Sequence, residues 1–377
     1  MESFLSASKK SLSNLSVYKK VRIVLGNGTC DLDSAVSALA QGYSEYLGKK
    51  KNAETDMAVI PLMNIFEREY RVKTEVIYFL NHHNIPTSLL TFRDQIDLKG
   101  LKDEGVVTLE TILVDHHSLP DEDAFLTDTV IEVIDHRPRD ANWPWLKSKV
   151  HIETVGSCAT LVARNILSKH PDVVDPVLAS FLRGPILIDT CNFSKEADRA
   201  TSTDVQVVEQ LETIGRLSIA RNVTFDEIIR AKTDISELTP DDLLIRDLKV
   251  AAGVPIVGLP ILVKNFVELE NVFEVLRKFA VSRDTTIVVL LGMQVITEKL
   301  SRDVGIFSLT TDELKTKMME ALTLSAESSL DLTLTTEIED KSGGDASLSL
   351  YTQGNLRATR KQILPIVRNT MTSQCRC

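Results

Sequence analysis

Val21-Arg-Ile-Val-Leu-Gly-Asn-Gly-Thr-Cys-Asp-Leu-Asp-Ser34 is the stretch on which the reading of the fold turns. Its first five residues form a short, β-branched apolar run of the kind buried on both faces. A polar loop follows. Apolar residues then recur at Ala35, Leu39, Gly42 and Tyr46 along one helical face, with Ser34 or Asp33 placed to cap the helix. Further apolar runs at 57–65, 112–114, 131–134 and 185–188 read as strands, and 160–168 and 205–214 have helical spacing. Strands alternating with helices predict an α/β fold with a mostly parallel N-terminal sheet covered on both faces.

Beyond residue 216 the texture changes. Apolar runs at 255–263 and 286–295 flank a helical stretch at 266–281. Two alternating runs, 330–337 and 346–351, are joined by Lys341-Ser-Gly-Gly-Asp345, a hairpin signal. A chain of 377 residues also exceeds one ordinary core. The expectation is two domains, 1–215 and 216–377, the second a smaller α/β domain with antiparallel strands.

Hydrophobic residues make up 43% and charged residues 25%, the balance of a globular protein, and the net charge is −10. That charge argues against a surface built to grip a nucleic-acid backbone. No apolar run reaches the ~18 residues that would span a bilayer, so no membrane contact is expected. Five scattered cysteines (Cys30, Cys158, Cys191, Cys375, Cys377) show no metal-type pairing and read as reduced thiols in a cytoplasmic protein. Residues 1–20 are rich in Ser and Lys without an apolar segment. A secretory signal is excluded, and a mitochondrial address is the lesser alternative.

The acids and histidines fall in a pattern. The first run leads into Asn27, Asp31 and Asp33; 112–114 leads into Asp115-His116-His117; 131–134 into Asp135-His136-Arg137; and 185–188 into Asp189. Ligands of an open parallel sheet bind beyond the carboxyl ends of its strands, so these groups would converge. Packed carboxylates repel and raise one another's pKa, which a pair of divalent cations would relieve. Carboxylate and imidazole donors suit Mn²⁺ or Mg²⁺, with Co²⁺ as a substitute. His82-His83 has no acid beside it and is expected in an exposed loop.

These residues resemble the DHH phosphoesterase superfamily, named for the Asp115-His116-His117 triplet, and most closely its prune and exopolyphosphatase branch. The resemblance rests on Gly26-Asn-Gly-Thr-Cys-Asp-Leu-Asp-Ser-Ala-Val-Ser-Ala38, Phe92-Arg-Asp-Gln-Ile-Asp97, Val114-Asp-His-His117, Ile134-Asp-His-Arg-Pro138 and Val155-Gly-Ser-Cys-Ala-Thr160. It implies Asp31, Asp33, Asp94, His116 and Asp189 as ligands of two metals, with Asp94 bridging and Asp97 its rival. It further implies that His117 faces substrate phosphate and that Asp115 orients a neighbouring group. Asn27 stands where related manganese pyrophosphatases place a histidine, which shifts the expectation from pyrophosphatase toward exopolyphosphatase. His136 and Arg137 depart from a double histidine of some relatives and are expected to contact substrate.

The second half resembles the DHHA2 domain, implying an active site in an interdomain cleft. Arg357-Ala-Thr-Arg-Lys-Gln-Ile-Leu-Pro365 is similar to its Ser-Arg-Lys substrate motif, with Arg360 and Lys361 as phosphate contacts and Lys232 and Asp234 as weaker candidates. The activity implied is hydrolysis of short inorganic polyphosphate by a hydroxide bridging two metals. A cyclic-nucleotide phosphodiesterase is the enzymatic alternative, and a prune-like interaction protein binding nucleoside diphosphate kinase is the non-enzymatic one. Aromatic content of 5%, with no cluster near the motifs, favours the inorganic substrate. Gly343-Gly344-Asp345 lacks the histidine of the superfamily's nuclease branch.

Overall fold

The computed structural model describes residues 1–377 except 140–143, 146, 297–298, 311–312, 325–328, 341–344 and 375–377. It divides into two compact units, Met1–Asp234 and Ile235–Cys377. The expected boundary fell at 215/216; the helix Arg221–Thr233 packs on helices of the first unit and moves the division C-terminally.

The first unit opens with α1 (Glu2–Ser11), β1 (Lys20–Leu25), α2 (Leu32–Lys51) and β2 (Met57–Met63). Next come α3 (Glu67–Tyr70), α4 (Thr74–His82), β3 (Thr91–Phe92), α5 (Leu98–Glu104) and β4 (Thr108–Val114). It closes with β5 (Val130–Asp135), β6 (Lys149–Ile152), α6 (Cys158–Lys169), α7 (Pro176–Asp189), α8 (Ser202–Ile214) and α9 (Arg221–Thr233). The six strands pair in parallel in the order β3-β2-β1-β4-β5-β6. Alternate residues serve opposite faces: Val21, Ile23 and Leu25 join one core, while Val24 joins the other with Ile112 and Val114. Both faces of the sheet are thus apolar and covered, as a parallel sheet requires.

Three local readings change. Residues 185–188, expected as a strand, are the last turn of α7, with Pro185 inside the helix. A short, fully buried apolar run looks the same in strand or helix, and Asp175 with Pro176 at the helix start supplies the missing context. α2 is capped by Asp31, whose carboxylate accepts the Ser34 amide at 3.1 Å, rather than by Asp33 or Ser34. His83 is buried, not exposed, with its ring 4.3 Å from that of Phe79 and 5.4 Å from that of Phe181. Phe4 and Leu5 are fully buried, so the Ser- and Lys-rich start of the chain belongs to the folded unit.

The second unit contains α10 (Pro240–Arg246), β7 (Leu248–Ala251), β8 (Val254–Leu259), α11 (Val263–Phe266), α12 (Val272–Ser282) and β9 (Ile287–Ile296). β10 (Lys299–Ser308), α13 (Glu313–Leu324), β11 (Leu332–Glu339), β12 (Ser347–Gln353) and α14 (Arg360–Gln374) complete it. Its sheet runs β11-β12-β10-β9-β8-β7, antiparallel except for the parallel β8–β9 pair. The single helix expected at 266–281 is two, broken before α12 where Asn271 takes a left-handed conformation, φ 60°. β11 and β12 pair as the hairpin signal implied, while the Gly343-Gly344 turn and the terminal Cys375 and Cys377 lie outside the described residues. Among the described residues no helix is long and apolar enough to cross a membrane.

Candidate metal centre

The strand order sets the place of the site. β1 and β4 are neighbours, and the chain leaves β1 toward β2 on one side and continues from β4 toward β5 on the other. This is the switch point of a doubly wound sheet, where a crevice opens beyond the strand ends. The loop after β1 is drawn tight there: the Asn27 amide donates to Ser34 Oγ at 2.7 Å, and a Cβ on Gly26 would lie 2.4 Å from that oxygen. Asp33, on the first turn of α2, points into the unit, where Cys158 N and Ala159 N at the start of α6 each donate to its carboxylate at 2.7 Å.

Asp115 follows β4 with φ 61°, a left-handed position that aspartate tolerates better than most residues. Its Oδ2 accepts from the Asn27 side-chain amide, and its Oδ1 lies 3.3 Å from His136 Nε2 and 3.5 Å from an Arg137 nitrogen. His136 follows β5, its Nδ1 3.0 Å from the carbonyl of Val155. A backbone carbonyl can only accept, so Nδ1 carries the proton and Nε2 is the nitrogen turned toward Asp115. Asp33, Asp115 and His136 each bring a donor atom within 4.8 Å of the other two.

Charge in this group is costly. Burial and the neighbouring Asp33 push the Asp115 carboxyl up to about 8. Burial raises Asp33 as well, opposed by His136. Asp189, at the last residue of α7, is held well above the usual carboxylate range by burial and by the charges of Asp33 and Asp31; its buried Oδ2 has no hydrogen-bond partner. Burial alone would depress His136, yet its bond to Asp115 and the charge of Asp33 lift it to about 9. Converging carboxylates, one imidazole and an orphaned buried oxygen are the donor chemistry of a hard divalent cation, and the residues fit one.

The other expected residues are distributed as follows. Asp94 is exposed and accepts the Glu67 amide at 3.0 Å at the start of α3; it follows β3, the edge strand two places from β1. Asp94 is not part of the three-donor group. Asp97 is exposed and caps α5 through Gly100 N at 2.8 Å. His116 is buried with Nδ1 2.9 Å from the Val114 carbonyl and is not part of the three-donor group. His117 Nδ1 pairs with the buried Asp135 at 2.5 Å.

Asn27 is turned inward at both ends, its carbonyl accepting from Thr29 N at 2.9 Å and Cys30 N at 3.2 Å. Arg137 donates to the Asp115 carbonyl at 2.6 Å. In the second unit Arg360 is held by Asp247, to its backbone carbonyl at 2.9 Å and its carboxylate at 2.8 Å, while Lys361 is exposed. Lys232 lies near the end of α9, and Asp234 is the residue that ends it. Asp115 and His136 were expected to orient or to touch substrate; the structure brings them together as donors beside Asp33. The strand-end pattern already marked both, but only the folded geometry, with its left-handed turn at Asp115, brings their donor atoms to Asp33.

The DHHA2 domain profile matches residues 226–370. Exopolyphosphatase PRUNE1 of Bos taurus is 35% identical over 378 residues, covering 99% of this chain and 80% of the relative. The chain belongs to the prune branch of the DHH exopolyphosphatase family. The Homo sapiens PRUNE1 is 34% identical with the same coverage, and a putative exopolyphosphatase of Schizosaccharomyces pombe is 28% identical over 95% of this prune-family chain and 93% of its own length. A putative family II inorganic pyrophosphatase of Methanococcus jannaschii shares the fold, with TM-score 0.53 at 19% identity over 93% of this chain and 99% of that one.

Proposed function

We propose that this protein hydrolyses phosphoanhydride bonds of short inorganic polyphosphate, using divalent cations held by Asp33, Asp115 and His136 with Asp31 and Asp189 as further donors. One observation carries the reading: three donors from three separate segments meet within 4.8 Å at the switch point of the sheet. Relatives named exopolyphosphatase over nearly the whole chain support the substrate class. The mixed carboxylate and imidazole set favours Mn²⁺ or Mg²⁺ over a thiophilic ion.

A divalent cation held by Asp33, Asp115 and His136 would supply Lewis acidity toward a phosphoryl oxygen and a water. The chain's own contribution is orientation. Val155 O sets the His136 tautomer, the α6 amides fix both oxygens of Asp33, and Asn27 and Arg137 tie down Asp115. Arg360 and Lys361 are proposed as phosphate contacts, with Asp247 presetting the Arg360 guanidinium.

Phosphate release from tri- and tetraphosphate, measured beside turnover of cyclic AMP with Mn²⁺ and with chelator, tests the proposal. Metal-dependent release from the polyphosphates is expected, and Asp115→Asn should lower kcat/KM at least about a hundredfold. Turnover of the cyclic nucleotide alone would replace polyphosphate as substrate, and metal-independent activity would overturn the centre.

A further inference from the structure

One short segment orients several of the candidate donors. Residues 155–160 give the Val155 carbonyl to His136 Nδ1 at 3.0 Å and the amides of Cys158 and Ala159 to Asp33 at 2.7 Å each. Gly156 presses on the residue after Asp189: a Cβ built there would lie 2.5 Å from Thr190 Cγ2. Placement of this segment is therefore shared by Asp33, His136 and the end of the helix that presents Asp189.

A single carboxylate outside the donor group holds the segment at both ends. Asp204, on the first turn of α8, is fully buried. Its Oδ2 accepts from Gly156 N at 2.9 Å, and its Oδ1 accepts from Thr160 Oγ1 at 2.5 Å. The same Oδ2 accepts from Thr201 N and Thr201 Oγ1, both at 2.7 Å, closing the capping box of α8. Asp204 is 48 residues beyond Gly156 in sequence, so the contact couples α8 to a loop on which the centre depends. A capping box alone would need only the contacts to Thr201. The bonds to Gly156 and Thr160 serve the segment, not the helix.

We propose that Asp204 is the positioning residue of the metal centre, clamping residues 155–160 so that Asp33 and His136 present their donor atoms together. The inference rests on the metal-centre reading above. Partners that orient ligands typically change metal affinity about 10–100-fold when removed.

The test is Mn²⁺ binding to the metal-free 377-residue chain, followed by titration calorimetry or by the electron paramagnetic resonance signal of free Mn²⁺. Asp204→Ala should weaken binding at least about tenfold, with much of kcat restored at saturating Mn²⁺. Asp204→Asn, which can keep one carbonyl oxygen facing Gly156 and Thr201, should stay within about threefold of wild type. Asp242→Ala, which opens the equivalent Thr239–Asp242 capping box of α10, is the control for a general loss of helix stability. It should lower the melting temperature without changing Mn²⁺ affinity.

Wild-type affinity in a folded Asp204→Ala, or an equal loss in Asp242→Ala, would overturn the inference. If Asp204→Ala does not fold, Thr160→Val removes only the hydroxyl bond to Asp204 and should weaken Mn²⁺ binding about threefold or more; unchanged affinity there would overturn it equally. Asp33→Asn separates the two claims. If that variant binds Mn²⁺ like wild type, the metal centre itself is wrong. If it does not while Asp204→Ala does, only the role of Asp204 is.

Discussion

Acidification should destabilise the first unit through His83, a residue remote in sequence from every candidate ligand. The imidazole is packed against Phe79 and Phe181, with Nδ1 2.8 Å from the Phe79 carbonyl and Nε2 3.3 Å from Ser180 Oγ, and burial lowers it from 6.5 to about 4. The folded chain therefore holds His83 neutral over a range in which the unfolded chain protonates it. Stability rises with pH between about 4 and 6.5, is fully present above 6.5, and is lost as pH falls through that window. At about 1.4 kcal/mol for each pH unit of that window, His83 accounts for about 3 kcal/mol between pH 7 and pH 4.

Urea unfolding at a series of pH values, read by tryptophan fluorescence in the presence of chelator, measures this, because Trp145 is buried in the first unit and no tryptophan follows it in the sequence. His83→Phe keeps an aromatic ring there without a titrating group. The Phe79 carbonyl remains satisfied in that variant by the His83 backbone amide at 3.2 Å. Wild type should lose about 3 kcal/mol more than His83→Phe over the range. Identical pH slopes for the two proteins would refute the assignment.

Asp94→Asn should leave polyphosphate hydrolysis within about threefold of wild type, whereas Asp115→Asn abolishes most of it, so kinetics of the pair decide which carboxylate belongs to the centre. Gly184→Ala places a Cβ 2.2 Å from Phe79 Cζ inside the buried α7, and should cost about 1–3 kcal/mol in a urea titration. Arg360→Ala and Lys361→Ala should raise KM for tripolyphosphate more than they lower kcat; unchanged KM in both would remove them from substrate binding.

Much of the first unit could be read from residue order. Strand, acidic loop and helix follow at 21–34 as the apolar spacing implied, and β4 runs into Asp115 while β5 ends on Asp135, acids that the strand-end pattern singled out. Where the reading failed, the deciding information was not local. Nothing in Phe92-Arg-Asp94 announces that the Asp94 carboxylate stays exposed and takes the Glu67 amide at the start of α3. Asp115-His116-His117 drew attention to the middle residue, but a left-handed turn at Asp115 is what brings that carboxylate to His136. Residues 185–188 looked like a strand because a fully buried helix and a fully buried strand leave the same apolar signature. Asp204 sits in an ordinary capping signal, and only the fold reveals its second pair of contacts.

The clamp on residues 155–160 also orders events during synthesis. Asn27 to Asp33 emerge from the ribosome long before Asp115, His136 and Asp189, and the segment that contacts Asp33 and His136 is not fastened until Asp204 has followed. A nascent chain shorter than about two hundred residues would thus lack an assembled centre, since contacts this distant must wait for loop closure. A cation bound by the proposed centre would then act as a late latch, favouring the fully assembled unit by mass action.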